Sequence, residues 1–284
     1  MQLNLKISQN KNITSLEKHP KNRVFFIICK LTSKNTSSTL NFMTKTALDF
    51  KIVPIFNQDT LGVWTDFIRI EATCDTELHK LSYPTQPLIR DRASGLKKEL
   101  RQKKHPFAFG AYNNEQMIGF TFGSFYEPSE MYLERLYVLP KYHRCGIGTQ
   151  LLKAAEQTAT IFATKVTLSA LREAVDFYQL KNGYEQFEDM EKELSPISNC
   201  IVPVFQWVKQ DFKLKIATSV DTMALKQSKY QPIFVHINYD YEIDAVATCT
   251  KDGTHKIWAN YANIPLKQSK LYRDKLLNAL NNVR

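Results

Sequence analysis

The chain has no apolar run long enough to cross a bilayer, which takes about 20 residues. Its basic leader holds one apolar stretch, Val24 to Cys29, and no small-residue cleavage site follows it closely, so neither an anchor nor a secretory signal is implied. Cysteine is sparse. The five residues (Cys29, Cys74, Cys145, Cys200, Cys249) are odd in number and lack Cys-x-x-Cys spacing, which implies neither a disulfide framework nor a zinc site and fits a reducing cytoplasm. The six histidines form no helical ligand pair with carboxylates, so no metal is expected. Glycine is scarce too, at nine residues. Neither Gly-x-x-x-x-Gly-Lys-Ser/Thr nor Gly-x-Gly-x-x-Gly occurs, which removes a P-loop and a dinucleotide fingerprint.

Acidic residues are outnumbered, 28 against 38 basic ones, for a net charge of +10. The excess is uneven. Residues 1–47 carry eight Lys/Arg and one acidic residue, leaving only +3 for the other 237. A basic polar leader reads as a solvated, disordered arm, so no nucleic-acid partner is expected. Met43, just ahead of the first expected strand, is a second candidate start, which would make the leader no part of the chain.

What is present is material for a core, with 43% hydrophobic residues, and one informative segment, Met131 to Thr149. Leu133, Tyr137 and Leu139 alternate with Glu134, Leu136 and Val138, as in a strand buried on both faces and ended by Pro140. Arg144-Cys145-Gly146-Ile147-Gly148-Thr149 then turns the chain. Apolar residues recur at Ile147, Leu151, Leu152, Ala155 and Ala159, a helical spacing. Two glycines permit close backbone approach and the first helical amides lack partners, an arrangement suited to a pyrophosphate.

The segment resembles the acetyl-CoA loop of the GNAT acyltransferase superfamily. Leu136-Tyr137-Val138-Leu139-Pro140 and His143-Arg144-Cys145-Gly146-Ile147-Gly148 match its strand end and its Gln/Arg-x-x-Gly-x-Gly/Ala pattern. His143 stands at the Gln/Arg position with Arg144 beside it, and either side chain is a candidate for the phosphate. Downstream, Lys165 to Ser169 alternates like a strand, and Arg172 to Asn182 reads as a short helix capped by Gly183. Phe177-Tyr178 and Gly183-Tyr184 match the family's Phe-Tyr and Gly-Phe/Tyr pairs. One extra residue lies between Tyr178 and Gly183, and the family's asparagine after the preceding strand is missing.

Upstream, Phe50 to Ile55 reads as the first strand, and helical segments broken near Ser82 to Pro87 follow. Phe107 to Tyr112 and Met117 to Phe125 form a hairpin around Asn113-Asn114-Glu115. Asn199 to Trp207 is the expected last strand. The resemblance therefore covers about residues 49–208 and implies an α/β (α+β) fold, a mixed, mostly antiparallel twisted sheet flanked by helices. The expected units are the leader (1–47), the GNAT domain (48–210) and a C-terminal α+β module (211–284).

The resemblance implies an N-acetyltransferase that moves an acetyl group from acetyl-CoA to a primary amine by direct attack in a ternary complex. The stretch Tyr132 to Val138 looks most like the polyamine and other small-amine members. Leu136, Tyr137, Val138, His143, Arg144, Cys145, Gly146, Ile147, Gly148 and Thr149 are the expected cofactor-binding residues. Tyr178 is the candidate acid for the departing thiolate. Glu134, the one carboxylate inside the strand, is the candidate base; pairing with Arg135 or a nearby lysine is the alternative.

The module, with an expected helix near Ser219 to Ser228, three strands from Ile233 to Tyr261 and a helix over Lys267 to Val283, carries no recognised motif. It packs on the catalytic domain or on a second copy in a homodimer; the sequence leaves both open. It also leaves open a non-catalytic acyl-CoA-binding protein that works through this module.

Overall fold

The computed structural model describes residues 48–56, 61–127, 129–186, 189–205, 213–216, 220, 233–249, 253–259 and 264–283. The leader and most of the expected helix near Ser219 lie outside the described residues.

Seven strands form the first sheet: β1 (Lys51–Pro54), β2 (Lys104–Asn113), β3 (Gln116–Glu127), β4 (Ser129–Val138), β5 (Ala163–Leu168), β6 (Glu185–Gln186) and β7 (Met190–Glu193). Their order is β1-β2-β3-β4-β5-β7-β6, antiparallel throughout except for the parallel β4–β5 pair. The β2–β3 hairpin turns at Asn113-Asn114, where Asn114 takes a left-handed φ of 52° that asparagine tolerates better than most residues.

Helices α1 (Leu61–His79) and α2 (Gln86–Gln102) cover one face of this sheet. The break between them falls at residues 80–85, and Pro87 occupies the first turn of α2, where its missing amide costs nothing. Trp64, Phe67, Ile68, Ile89 and Leu96 pack there against Phe120, Phe122 and Tyr137. Helix α3 (Ile147–Ala159) covers the other face, and each of its five expected apolar positions is buried. Helix α4 (Val175–Asn182) ends at Gly183, whose φ of 71° is the expected left-handed cap.

The segment after β7 departs from expectation. Strand β8 (Cys200–Val204), expected to close the first sheet, pairs instead with β10 (Ile233–Ile237), Val204 opposite Ile233. β7 takes the place beside β5. β8 opens a second sheet, ordered β12-β11-β10-β8, with β11 (Glu242–Cys249), β12 (His255–Ala259) and the short β9 (Lys215–Ile216) beside β11. Pro203 has no amide to donate, and β8 is an edge strand where that loss is tolerated. The two units expected on either side of residue 210 thus share one sheet.

The second sheet is covered on both faces. Val202, Val204, Val235 and Ile243 join the same buried cluster as Leu151, Leu152 and Ala155 of α3. Helix α5 (Leu266–Asn281) covers the other side through Leu276 and Leu280, against Phe234, Ala245 and Ala247. The C-terminal segment therefore packs on the preceding part of its own chain, and α3 lies between the two sheets.

Candidate active site

The chain leaves β4 at Val138, makes one 3-10 turn over Pro140–Tyr142, and enters α3 through the expected loop. Arg144 (φ 64°) and Gly146 (φ 83°) both hold left-handed backbone. Successive residues of mixed handedness turn their amides to one side, which makes a concave anion site. Gln150 N donates to Gly146 O at 3.1 Å as the first helical bond, so the amides of Ile147, Gly148 and Thr149 have no helical acceptor. They line a cavity of about 510 Å³. Leu136 and Val138 form its strand side, His143 and Arg144 its loop side, and Phe177 and Lys181 of α4 face them.

His143 is drawn back to the strand. Its Nε2 lies 2.7 Å from Val138 O; a carbonyl only accepts, so Nε2 carries the proton and donates. The ring thereby ties the loop to the strand end, leaving the Arg144 guanidinium as the loop's charged donor.

Beside the loop the sheet opens. β4 pairs with β5 from Ser129 to Tyr132, the last partner being Thr167, whereas its pairing with β3 continues to Val138. The two parallel strands splay from Tyr132 onward. Leu139 N donates to Ile118 O of β3 at 2.9 Å. In an antiparallel ladder alternate residues donate to the same neighbour, so the amides of Leu136 and Val138 turn to the edge that β5 has left.

β4 carries a bulge at Glu134. Arg135 opposes Phe122 and Leu133 opposes Gly123, so Glu134 is the extra residue. Glu134 is buried and both its oxygens are engaged: Oε2 pairs with Lys103 Nζ, and Oε1 accepts from Ser124 Oγ at 2.8 Å. Lys103 also reaches Glu99 at 3.1 Å. Next to it, Arg135 pairs with Glu71 of α1 at 2.8 Å, and Arg92 reaches the same carboxyl at 3.2 Å. Burial holds the Glu71 carboxyl above its ordinary value, the two guanidiniums offsetting part of the shift. Further out, Glu130, Asp189 and Glu191 face Lys165, Ser169 and Thr167 across β4, β5 and β7.

The structure brings most of the expected cofactor residues together. Leu136, Val138, His143, Arg144, Gly146, Ile147, Gly148 and Thr149 border the cavity. Tyr137 does not: its side chain points to the opposite face, stacked on Phe120 at 5.4 Å under α1. Cys145 also stays off the wall, and its thiol lies 3.7 Å from His143 O. Of the Phe-Tyr pair it is Phe177 that borders the cavity. Tyr178 is fully buried in the core, edge-on to Phe177 at 4.9 Å and to Tyr184 at 5.5 Å, and burial pushes its hydroxyl well above the ordinary tyrosine value. Sequence reasoning missed Tyr142, Glu173, Asp176, Leu180 and Lys181 on the wall. The helical recurrence of 173, 176, 177 and 180 was the signal available.

Among the described residues no helix is long and apolar enough to cross a membrane, and no group of three or more His, Cys, Asp or Glu is placed to hold a metal ion. No curated protein matches the chain. Solved structures do resemble it. PaiA N-acetyltransferase from Thermoplasma acidophilum, in complex with coenzyme A, is 19% identical over 51% of this chain and 99% of its own, with a TM-score of 0.38. An aminoglycoside acetyltransferase from an uncultured soil metagenomic sample is 24% identical over 49% and 91%, with a TM-score of 0.37. An acetyltransferase from Thermus thermophilus is 14% identical over 52% and 99%, with a TM-score of 0.41. Residues 64–184 match the model of the acetyltransferase (GNAT) family, whose members take acetyl-CoA as co-substrate. The chain is an acyltransferase carrying a GNAT acetyltransferase domain.

Proposed function

We propose that the protein transfers acetyl from acetyl-CoA to the primary amine of a small cationic molecule, by direct attack within a ternary complex. The observation that carries this reading is the splay: β4 parts from β5 at Tyr132 while still paired to β3, directly beside the concave loop that opens α3. An extended pantetheine chain fits along that edge. The free amides of Ile147 to Thr149 and the Arg144 guanidinium suit its pyrophosphate. The Val138 or Leu136 amide suits the thioester oxygen as it gains charge.

The acceptor enters from the α1/α2 face. Glu130, Glu134, Asp189 and Glu191 supply negative charge there against Lys103 and Lys165, which favours a cationic acceptor such as a polyamine or an aminoglycoside. Glu134 serves as part of this field. To act as a base it would first have to give up Lys103. Tyr178 serves as a packing residue behind Phe177, and the leaving thiolate takes its proton from water.

The test is thiol release from acetyl-CoA with spermidine, kanamycin and n-butylamine as acceptors. Saturable release with a cationic acceptor supports the reading. Release that is equal with and without amine contradicts it.

A further inference from the structure

The base that removes the amine's proton is not supplied by Glu134, whose oxygens are both engaged. A different set of groups lies at the apex of the splay. Tyr132 Oη is 3.0 Å from Ser169 Oγ, and Ser169 Oγ donates to Asp189 Oδ1 at 2.5 Å. Ser169 has one proton, committed to the carboxylate, so Tyr132 donates to Ser169 and the chain of donors runs one way. Tyr132 forms the last β4–β5 pair, with Thr167. Ser169 is one residue beyond the end of β5, and Asp189 immediately precedes β7, whose Met190 pairs with Leu168. The three groups therefore cross from the apex of the splay to the outer strands of the sheet.

Tyr132 is half-buried and carries a neutral phenol. Burial chiefly, and then the nearby Asp189 and Glu134 charges, hold its ionisation above the ordinary value, with the Ser169 bond offsetting part of this. A neutral phenol bonded to a serine that is bonded to a carboxylate accepts one proton and passes on another without becoming tyrosinate.

We propose that Tyr132, Ser169 and Asp189 form the route by which the acceptor amine loses its proton, with Tyr132 in contact with the amine and Ser169 and Asp189 as positioning residues. The proposal rests on the amine-acetyltransferase reading above. The nitrogen lone pair forms the C–N bond to the thioester carbon, and the C–S bond breaks with its electron pair on sulfur. The proton leaving nitrogen goes to the Tyr132 oxygen as the Tyr132 proton goes to Ser169 and the Ser169 proton to Asp189. Tyr132 and Ser169 are unchanged at the end. Asp189 holds one proton, which it returns to water, and the thiolate takes one from water.

The experiment measures thiol release from acetyl-CoA with spermidine, kanamycin and n-butylamine by the full chain and its Ser169→Ala, Ser169→Thr, Asp189→Asn, Tyr132→Phe and Ser169→Ala/Asp189→Asn variants. Calorimetry confirms in each that acetyl-CoA still binds. The expected result is a kcat about a hundredfold lower in Ser169→Ala, Asp189→Asn and Tyr132→Phe, with the KM for acetyl-CoA unchanged. The double variant is no slower than either single one, and Ser169→Thr, which keeps a hydroxyl, restores most of the rate. If Ser169→Ala or Asp189→Asn fails to fold, Tyr132→Phe, which removes one oxygen, must still show the loss. A kcat within about twofold of wild type in Ser169→Ala or Tyr132→Phe, or losses that multiply in the double variant, overturns the relay alone. A wild-type chain that binds acetyl-CoA but releases no thiol with any of the three amines overturns the amine reading and the relay together.

Discussion

Two glycines two residues apart are separable by physics, and the pair tests what the loop does. Gly146 holds φ 83°, and a Cβ built there meets nothing within 4 Å. Gly146→Ala therefore costs only backbone strain, about 1–2 kcal/mol for a non-glycine residue in the left-handed region. For a folded unit of this size that lowers Tm by about 2–8 °C. Gly148 is the reverse. Its φ is unstrained, and a Cβ stands 3.4 Å from Phe177 Cζ and 3.7 Å from Leu136 Cδ2, in ordinary contact with two residues of the cavity wall. Gly148→Ala is thus tolerated, whereas Gly148→Phe drives a ring into the 510 Å³ cavity. If acetyl-CoA binds at about −8 kcal/mol, micromolar, a loss of about 4 kcal/mol takes it to millimolar. The assay is thermal unfolding beside calorimetric titration. Gly146→Ala lowers Tm and weakens binding less than about tenfold; Gly148→Phe leaves Tm near wild type and abolishes micromolar binding. Micromolar affinity retained by Gly148→Phe would refute the placement of acetyl-CoA against this loop.

Three further outcomes follow from the same geometry. Tyr178→Phe should leave kcat within about twofold and act on stability instead, by about 1 kcal/mol, since the hydroxyl does not border the cavity; a large fall in kcat with unchanged stability would return Tyr178 to the mechanism. Lys103→Met strands the buried Glu134 carboxylate and should lower stability by about 2 kcal/mol, below the usual cost of breaking a buried pair because Lys103 is partly exposed; Glu134→Gln in the same background should recover part of it, measured by urea unfolding. Glu71 has a raised folded value, so the folded state binds its proton more tightly than the unfolded chain does. Its contribution is therefore fully present below the ordinary value of 4.5 and lost as pH rises through the raised one. Relative to wild type, Glu71→Gln should gain stability as pH rises across that window, and a difference that is flat or falls with pH contradicts the assignment.

Much of the loop and its surroundings was legible because the signals are local. The α3 stripe from Ile147 to Ala159, the Gly183 cap and the β2–β3 turn each depend on residues within a turn or two of one another. What periodicity cannot report is the partner. The alternation of Cys200 to Val204 marks a strand with one buried face, but nothing local says that its amides meet Ile233 rather than the first sheet. The bulge that makes Glu134 the extra residue depends on register with β3. Its engagement by Lys103 and Ser124 joins residues 31 and 10 positions away. Adjacent residues of one short helix also point differently: Phe177 meets the cavity while Tyr178 turns into the core, about 100° round the helix. A motif match fixes neither rotation nor register, and those decide which of two neighbouring aromatics touches a ligand.

The most direct test of the central claim, that the splay and the loop before α3 hold acetyl-CoA, is calorimetric titration of the purified chain with acetyl-CoA and with dephospho-CoA. One site per chain at micromolar affinity for acetyl-CoA is the predicted result, weakened when Arg144 is replaced by alanine. Heat no greater than dilution at millimolar acetyl-CoA would contradict it, and the cavity between β4 and α4 would then be only the turn that starts a helix.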